Sequence, residues 1–304
     1  MNNKKVVIIG CGNVGMSYAY ALLNQRTYVN ELALIDLNKE KVIGEVMDLN
    51  HCLSFSPTKI KIKVGDYSDC ADASLIVIAA GVNQAPGETR LDLLKRNAII
   101  FKNIVDEVMK NNFNGIFLIA TNPVDILTYL TQKYSNFPKN KVIGSGTSLD
   151  SARLKFLIGN RLSINPSCID GYVLGEHGDS EFVPWSSVNV ALQPIKDYLT
   201  EDEMRKIEDE VRISAYKIIK AKGATYYGIG MCLVRITNAI LGDENSVMVL
   251  SIYDDTNDVY IGLPSVVNKN GAERKIYFSL NDDETNKLVN SINALKNAIK
   301  ELDE

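Results

Sequence analysis

The sequence predicts an α/β protein: a doubly wound parallel sheet with helices on both faces, followed by an α+β domain. Three observations lead there. From Lys4 onward, short β-branched runs alternate with amphipathic stretches. A Gly-x-Gly-x-x-Gly pattern, Gly10 to Gly15, stands directly after the first run and directly before the first helical segment. Beyond Gly146 the regular alternation stops.

The elements follow in order. VVIIG is a near-continuous apolar run, as a strand covered on both faces requires. A helical segment starts at Asn13, ELALIDL reads as a second strand, and KEKVIGEVMDLNH reads as a second helix. ASLIVIAAG, a long helical pattern near Leu91 to Asn111, GIFLIAT and NKVIGSG continue the rhythm, giving roughly six strands before Gly146, as a Rossmann-type sheet has. The second part reads as a helix from about Asp150, an apolar strand Cys168 to Leu174, and a charged helix Thr200 to Lys222. Strands near Val247 to Tyr253 and Val259 to Leu263 come next. The chain closes with a helix in which Leu288, Ile292, Leu295, Ile299 and Leu302 recur at helical spacing. The boundary is placed at Gly144, giving domains 1–143 and 144–304, since 304 residues exceed what one core usually serves.

Composition excludes several classes. With 46% hydrophobic and 23% charged residues, the chain resembles neither a disordered nor a membrane-spanning protein. A net charge of −4 and the lack of any Lys/Arg run offer nothing to a nucleic acid. The most apolar stretch, Leu75 to Val82, is too short to cross a bilayer. Cys11, Cys52, Cys70, Cys168 and Cys232 are odd in number and scattered, which suits reduced thiols and a cytoplasmic location. No metal ligand set is read from the sequence.

Gly10 permits a tight turn, Gly12 a close approach of pyrophosphate to backbone, and Gly15 the packing of helix on strand, with Asn13 and Val14 opening a helix whose N-terminus faces phosphate. Asp36 ends the second strand about twenty residues on, where a carboxylate can bond both ribose hydroxyls and would repel a 2′-phosphate. The cofactor expected is NAD.

Gly81 to Arg90 is a polar loop with a Pro-Gly pair at the carboxyl end of the sheet, so it can serve as a lid whose Arg90 swings over an anion, or as an ordinary surface loop. Only His51 and His177 are available for acid–base work near neutrality. His51 lies in a helix-like stretch and reads as a packing or capping residue. His177 lies in a glycine-flanked loop after a strand. Asp150 and Arg153, three apart on one helix face, can pair locally or serve as a histidine-orienting carboxylate and a carboxylate clamp. Their spacing leaves open whether they meet His177.

Across nearly the whole chain, through GCGNVG, NQAPGETRLDLLKRN, TNPVD, SGTSLDSARLKF, GEHGDSE and KGATYYGIG, the sequence resembles the L-lactate/malate dehydrogenase family, and within it the bacterial L-lactate dehydrogenases. That resemblance implies a substrate-binding, catalytic second domain and reversible hydride transfer between NADH and pyruvate, giving L-lactate. It implies that His177 exchanges the proton, Asp150 orients it, Arg153 binds the substrate carboxylate and Arg90 polarises the carbonyl. It also implies that Asn122 lies beside nicotinamide and substrate, that Gly81 faces the cofactor, that Thr225 lines the pocket, and that the chain forms a homotetramer. Gln84 selects pyruvate, because the malate branch has an Arg there for a second carboxylate. The alternatives are malate dehydrogenase and an enzyme for longer 2-hydroxy acids, which Phe182-Val183-Pro184-Trp185 resembles somewhat. Outside the enzyme class stands a silent NAD-binding protein. Where many bacterial relatives carry Arg and His for fructose 1,6-bisphosphate, this chain has Lys155 and Asp170, and weak or absent activation is expected.

Overall fold

The computed structural model of the chain describes residues 4–82, 87 and 89–303, without the side chains of Arg90 and Asp303. The first half runs β1 (Lys5–Ile9), α1 (Asn13–Leu23), β2 (Glu31–Ile35), α2 (Lys39–Cys52), β3 (Lys61–Val64), β4 (Leu75–Ile78), α3 (Arg90–Lys110), β5 (Ile116–Ile119), α4 (Val124–Ser135) and β6 (Val142–Gly144). The second half runs α5 (Ser148–Leu162), β7 (Ile169–Asp170), β8 (Asn189–Val190), β9 (Gln193–Pro194), α6 (Glu201–Lys222) and α7 (Tyr227–Leu241). It ends with β10 (Ser246–Asp254), β11 (Val259–Asn268), β12 (Gly271–Lys275) and α8 (Asp282–Asp303).

Strands β3-β2-β1-β4-β5-β6 lie side by side and parallel, so the chain reverses direction across the sheet between β1 and β4. A crevice opens there beyond the carboxyl ends of the strands, where such sheets bind ligands. Every residue of β1, β4, β5 and β6 is buried, which accounts for their unbroken apolar sequences. Lys5 is the exception in β1: its Nζ reaches Asp69 and Asp72, each at 2.7 Å.

The second half does not build its sheet apart. β10 joins β6 antiparallel through Ser251 and Gly144, and β11 and β12 extend the same sheet to nine strands. Among the described residues only β7-β8-β9 forms a separate small sheet. Its core, with Leu154, Ile158, Val173, Val183 and Val190, lies against α5 and α6. Thr200 caps α6 in a reciprocal pair with Glu203, and Gly223 ends that helix at φ 87°.

Three differences from the sequence reading have physical reasons. The strand expected over Cys168 to Leu174 is only Ile169–Asp170. Val173 N–H instead donates to Ser151 Oγ (2.9 Å), so the ladder is replaced by a side chain of α5. Helix α4 escaped notice because Thr128, Thr131 and Ser135 return their hydroxyl protons to carbonyls four residues back, which lets polar residues occupy a buried face. Helix α7 escaped because its charged and amide residues, Arg235 and Asn238, come only in its second half, and Gly230 lies so close to Ser17 of α1 that an added Cβ would be 2.9 Å from that backbone. His51, read as packed or capping, is exposed on the last turn of α2.

Gly144 marks the seam. A Cβ there would lie 2.5 Å from Thr128 Oγ1 and 2.8 Å from Ser251 Cβ. Gly144→Ala should therefore lower the chemical denaturation midpoint, with a loss of about 2 kcal/mol from overpacking. An unchanged or raised midpoint would show that β6 and β10 can spread.

Candidate active site

The crevice is shaped by backbone contact. Gly10 follows β1 at φ 106°, and a Cβ on it would lie 2.4 Å from Ala80 N beyond β4, so only glycine lets these two strand ends touch. Gly15, on the first turn of α1, would place a Cβ 2.0 Å from Gly10 O. Gly12 is the opposite case: an added Cβ meets nothing within 4 Å, and as N-cap of α1 it supplies no side chain to the free N–H groups. Open space over an uncapped helix N-terminus fits a pyrophosphate. Asn13 and Val14 open that helix, with Val14 packed against the main core.

Asp36 follows β2. Its Oδ2 accepts from Cys11 N–H (2.8 Å) and its Oδ1 from Asn38 N–H (3.0 Å), so the carboxylate is fixed in direction with lone pairs still open. Gly10, Gly12, Asp36 and Gly81 line one cavity of about 880 Å³, walled by Ile35 and Val64. Its glycines and the Asp36 carboxylate suit an adenosine. At the same edge Thr121 Oγ1 donates to Ala80 O (2.8 Å), which places the exposed Asn122 next to Gly81. Thr225 is half-buried in the link between α6 and α7, and its neighbours Tyr226 and Tyr227 share a second groove with Gly12 and Asn13.

The other cluster forms across the seam. Asp150 and Arg153 stand on the first two turns of α5, and Arg153 Nη1 donates to Asp150 Oδ1 at 2.6 Å. The local pair does not exhaust the carboxylate. His177 Nδ1 lies 2.6 Å from Asp150 Oδ2. An ionised carboxylate has no proton to give, so Nδ1–H is the donor and Nε2 is left free. The loop carrying His177 is closed by reciprocal Leu174–Phe182 backbone bonds of 2.9 and 3.0 Å, and Thr147 Oγ1 ties α5 to it by donating to Val173 O (2.6 Å).

Two further carboxylates surround the imidazole. Glu181, 6% exposed, comes within 3.9 Å of Nδ1. Asp125 of α4, 2% exposed, accepts from His177 N–H at 2.8 Å and from Ser251 Oγ at 2.5 Å. Burial alone would lower the His177 pKa, but above all the charge and hydrogen bond of Asp150 raise it to about 9. Burial also acts against ionised Asp150, yet His177 and Arg153 hold it below the usual carboxylate range. For Glu181 the charges of His177 and Arg153 are outweighed: burial and the Asp150 charge push it up to about 9. Burial raises Asp125 to about 6 against its two hydrogen bonds. Asp150, His177 and Glu181 could by spacing hold a metal ion, but a cation would have to displace the Nδ1–H and Arg153 bonds.

The arrangement is a protonated imidazole beside an arginine, with a separate cavity lined by the glycines and Asp36. Comparison with known proteins gives the same parts in the same order. Residues 4–144 match the lactate/malate dehydrogenase NAD binding domain, and residues 147–304 match the lactate/malate dehydrogenase alpha/beta C-terminal domain. The chain belongs to the lactate/malate dehydrogenase family. L-lactate dehydrogenase of Halalkalibacterium halodurans is 51% identical over 296 residues, covering 96% of this chain and 95% of that one. L-lactate dehydrogenase 1 of Staphylococcus aureus is 50% identical over 310 residues, covering 99% and 97%. Among solved structures, a lactate dehydrogenase from a Medee basin deep-sea metagenome library superposes with TM-score 0.97 at 50% identity, covering 100% of both chains. The minor L-lactate dehydrogenase of Enterococcus mundtii in its ligands-bound form superposes with TM-score 0.96 at 44% identity, covering 99% and 98%.

In this member of the lactate/malate dehydrogenase family the structure brings His177, Asp150 and Arg153 together, and separately gathers Gly10, Gly12, Asp36 and Gly81. Gln84 and the Arg90 side chain lie outside the described residues. Sequence reasoning missed Asp125 and Glu181. Asp125 was inside a quoted motif but carried no sign of its burial. Glu181 had a faint signal, a carboxylate four residues after the loop histidine and directly before an apolar run. Also missed was Asn97, buried on α3, whose Oδ1 accepts from Val82 N–H (3.0 Å) at the foot of the loop that holds Gln84.

His177 and Glu181 both hold protons more tightly folded than unfolded, so each contributes stability that is lost as pH rises through the folded pKa. For His177 this contribution is complete below its unfolded value of about 6.5. The Glu181 contribution starts to be lost already above its ordinary value of 4.5, so thermal midpoints of the protein without cofactor should fall towards about pH 9, most steeply above about pH 6.5 where both groups contribute. Glu181→Gln, which has no proton to lose, should flatten that fall; an undiminished slope would mean that Glu181 is ionised in the native protein.

Proposed function

We propose that this chain is an NAD-dependent L-lactate dehydrogenase that interconverts pyruvate and L-lactate, with residues 1–143 holding the cofactor and 144–304 carrying the acid–base group. The observation that carries this reading is the Asp150 carboxylate held at 2.6 Å from both His177 Nδ1 and Arg153 Nη1. The names of the relatives support the substrate, and the family's first domain supports the cofactor.

NAD would be held by Gly10, Gly12, Asn13, Val14, Gly15, Asp36, Gly81 and Asn122. When bound as NADH, it supplies the hydride. His177, charged at neutral pH, gives the Nε2 proton to the carbonyl oxygen of pyruvate, since Nδ1–H is engaged, and in reverse the neutral ring takes the proton from lactate. Asp150 fixes the ring's direction and stabilises the imidazolium. Arg153, 12% exposed and steadied on Asp150, uses the remainder of its fork for the substrate carboxylate. Arg90 polarises the carbonyl when the loop closes, and Asn122 and Thr225 complete the pocket. A protonated Glu181 spares the anionic substrate a repulsive charge beside His177.

Gln84 leaves a second substrate carboxylate unpaired in a closed site, which favours pyruvate over oxaloacetate. The placement is cytoplasmic, in pyruvate fermentation and glycolysis. Among the described residues no helix is long and apolar enough to cross a membrane. A homotetramer is the assembly, supported by exposed apolar side chains on α2 (Ile43, Met47) and α7 (Tyr227, Met231).

Steady-state rates with NADH on pyruvate, oxaloacetate and 2-oxoisocaproate test the reading. Pyruvate should be the best substrate, and Gln84→Arg should turn preference towards oxaloacetate by at least ~100-fold in relative kcat/KM, roughly the worth of one buried charge pair. A variant that keeps its preference for pyruvate would remove Gln84 from the explanation. At the position of the effector site, Lys155 is half-buried near the charge of Asp170, with its ammonium 5.1 Å from the centre of the Tyr172 ring. An anion there meets Asp170, so fructose 1,6-bisphosphate should leave the pyruvate KM unchanged; a large drop would overturn this.

A further inference from the structure

Three consecutive backbone N–H groups lead into the His177 loop, and each is taken up by a different element. Gly175 N–H donates to Gly262 O of β11 (3.1 Å), Glu176 N–H to Ser291 Oγ of α8 (2.6 Å), and His177 N–H to Asp125 Oδ2 of α4 (2.8 Å). Ser291 is fully buried, on the face of α8 that packs Leu288, Ile292 and Leu295 inward. Gly175, at φ 96°, makes room for it: a Cβ there would lie 2.6 Å from Ser291 Oγ.

The proton positions around Ser291 follow from counting donors. Ser180 Oγ donates to Glu176 Oε2, which spends its only proton. The 3.1 Å contact between Ser291 Oγ and Ser180 Oγ must then run from Ser291 O–H to Ser180. A closed ring results in which Glu176 N–H donates to Ser291, Ser291 to Ser180, and Ser180 back to the Glu176 carboxylate. Every hydroxyl in it both gives and accepts, so the ring has one sense and one geometry.

We propose that Ser291 is a positioning residue for the acid–base step: through it, α8 fixes the peptide just before His177 and thereby the distance of the imidazole from Asp150 and from the substrate carbonyl. Ser291 touches neither substrate nor cofactor in this scheme. The inference rests on the reading of His177 as the proton carrier.

The test uses the full chain with Ser291→Ala and Ser180→Ala. Measured are kcat and KM for pyruvate, NADH affinity by fluorescence, and the affinity of the NADH-bound enzyme for oxamate, a pyruvate analogue that pairs with protonated His177. Ser291→Ala should lower kcat by about tenfold and weaken oxamate by a similar factor, while NADH affinity stays within about twofold, because the displaced group lies only on the substrate side. Ser180→Ala keeps the acceptor for Glu176 N–H and should lose about threefold in kcat on the same scale. Unchanged kcat and oxamate affinity in Ser291→Ala would overturn the proposal, as would an equal loss of NADH affinity, which marks a general disturbance. Should Ser291→Ala fail to fold, Ser180→Ala decides: reduced kcat with intact NADH binding supports the ring, and full kcat refutes it. If the unsubstituted protein neither reduces pyruvate nor binds oxamate, the reading of His177 is what fails.

Discussion

A carboxylate buried to 1% exposure, Asp150, is the constraint around which the rest of the molecule is organised. A charge in that position is tolerated only when paired, and removing one partner of such a pair typically costs about 3–5 kcal/mol. Arg153 pairs with it from one helical turn away, which the sequence can supply locally. His177 pairs with it from 27 residues away, which only the fold can supply. The glycine-flanked loop, the Leu174–Phe182 closure and the hydroxyl stitching between α5 and Val173 all serve that second distance. The His177 pKa is raised by the charge and hydrogen bond of that same Asp150, against a burial that by itself would lower it.

The nine-stranded sheet provides the rigidity. β10 and β11 add themselves to β6 and bring Gly262 and Ser251 under the His177 loop, one bonding Gly175 and the other Asp125. The cofactor crevice and the acid–base cluster therefore rest on one continuous piece of backbone. Glycine makes this possible at two places in the sheet: Gly10 lets β1 touch the end of β4, and Gly144 lets β10 close against β6. An arrangement that holds reacting groups in place needs such supports, since small displacements lower rates steeply.

Much of this was legible in the sequence where the signal was local. The glycine pattern, Asp36 and the parallel strands were readable because strand burial on both faces writes continuous apolar runs and turn geometry selects glycine. His177 was readable by elimination between two histidines and by its loop. Arg153 and Asn122 drew their meaning from family resemblance. Helices α4 and α7 were hidden, one because its polar residues satisfy themselves within the helix and the other because its charged and amide residues, Arg235 and Asn238, come only in its second half.

By itself, then, the sequence determined the parallel α/β plan, the nucleotide loop, the candidate histidine and the Asp150–Arg153 face, because propensity, periodicity and turn chemistry act within a few residues. Only the tertiary structure decided that Asp150 faces His177, that Asp125, Glu181 and Ser291 surround that loop, and that the second half completes the first half's sheet. These partners lie between 4 and 126 residues from one another in sequence, and what selects them is the demand that each buried charge and each buried N–H find a mate.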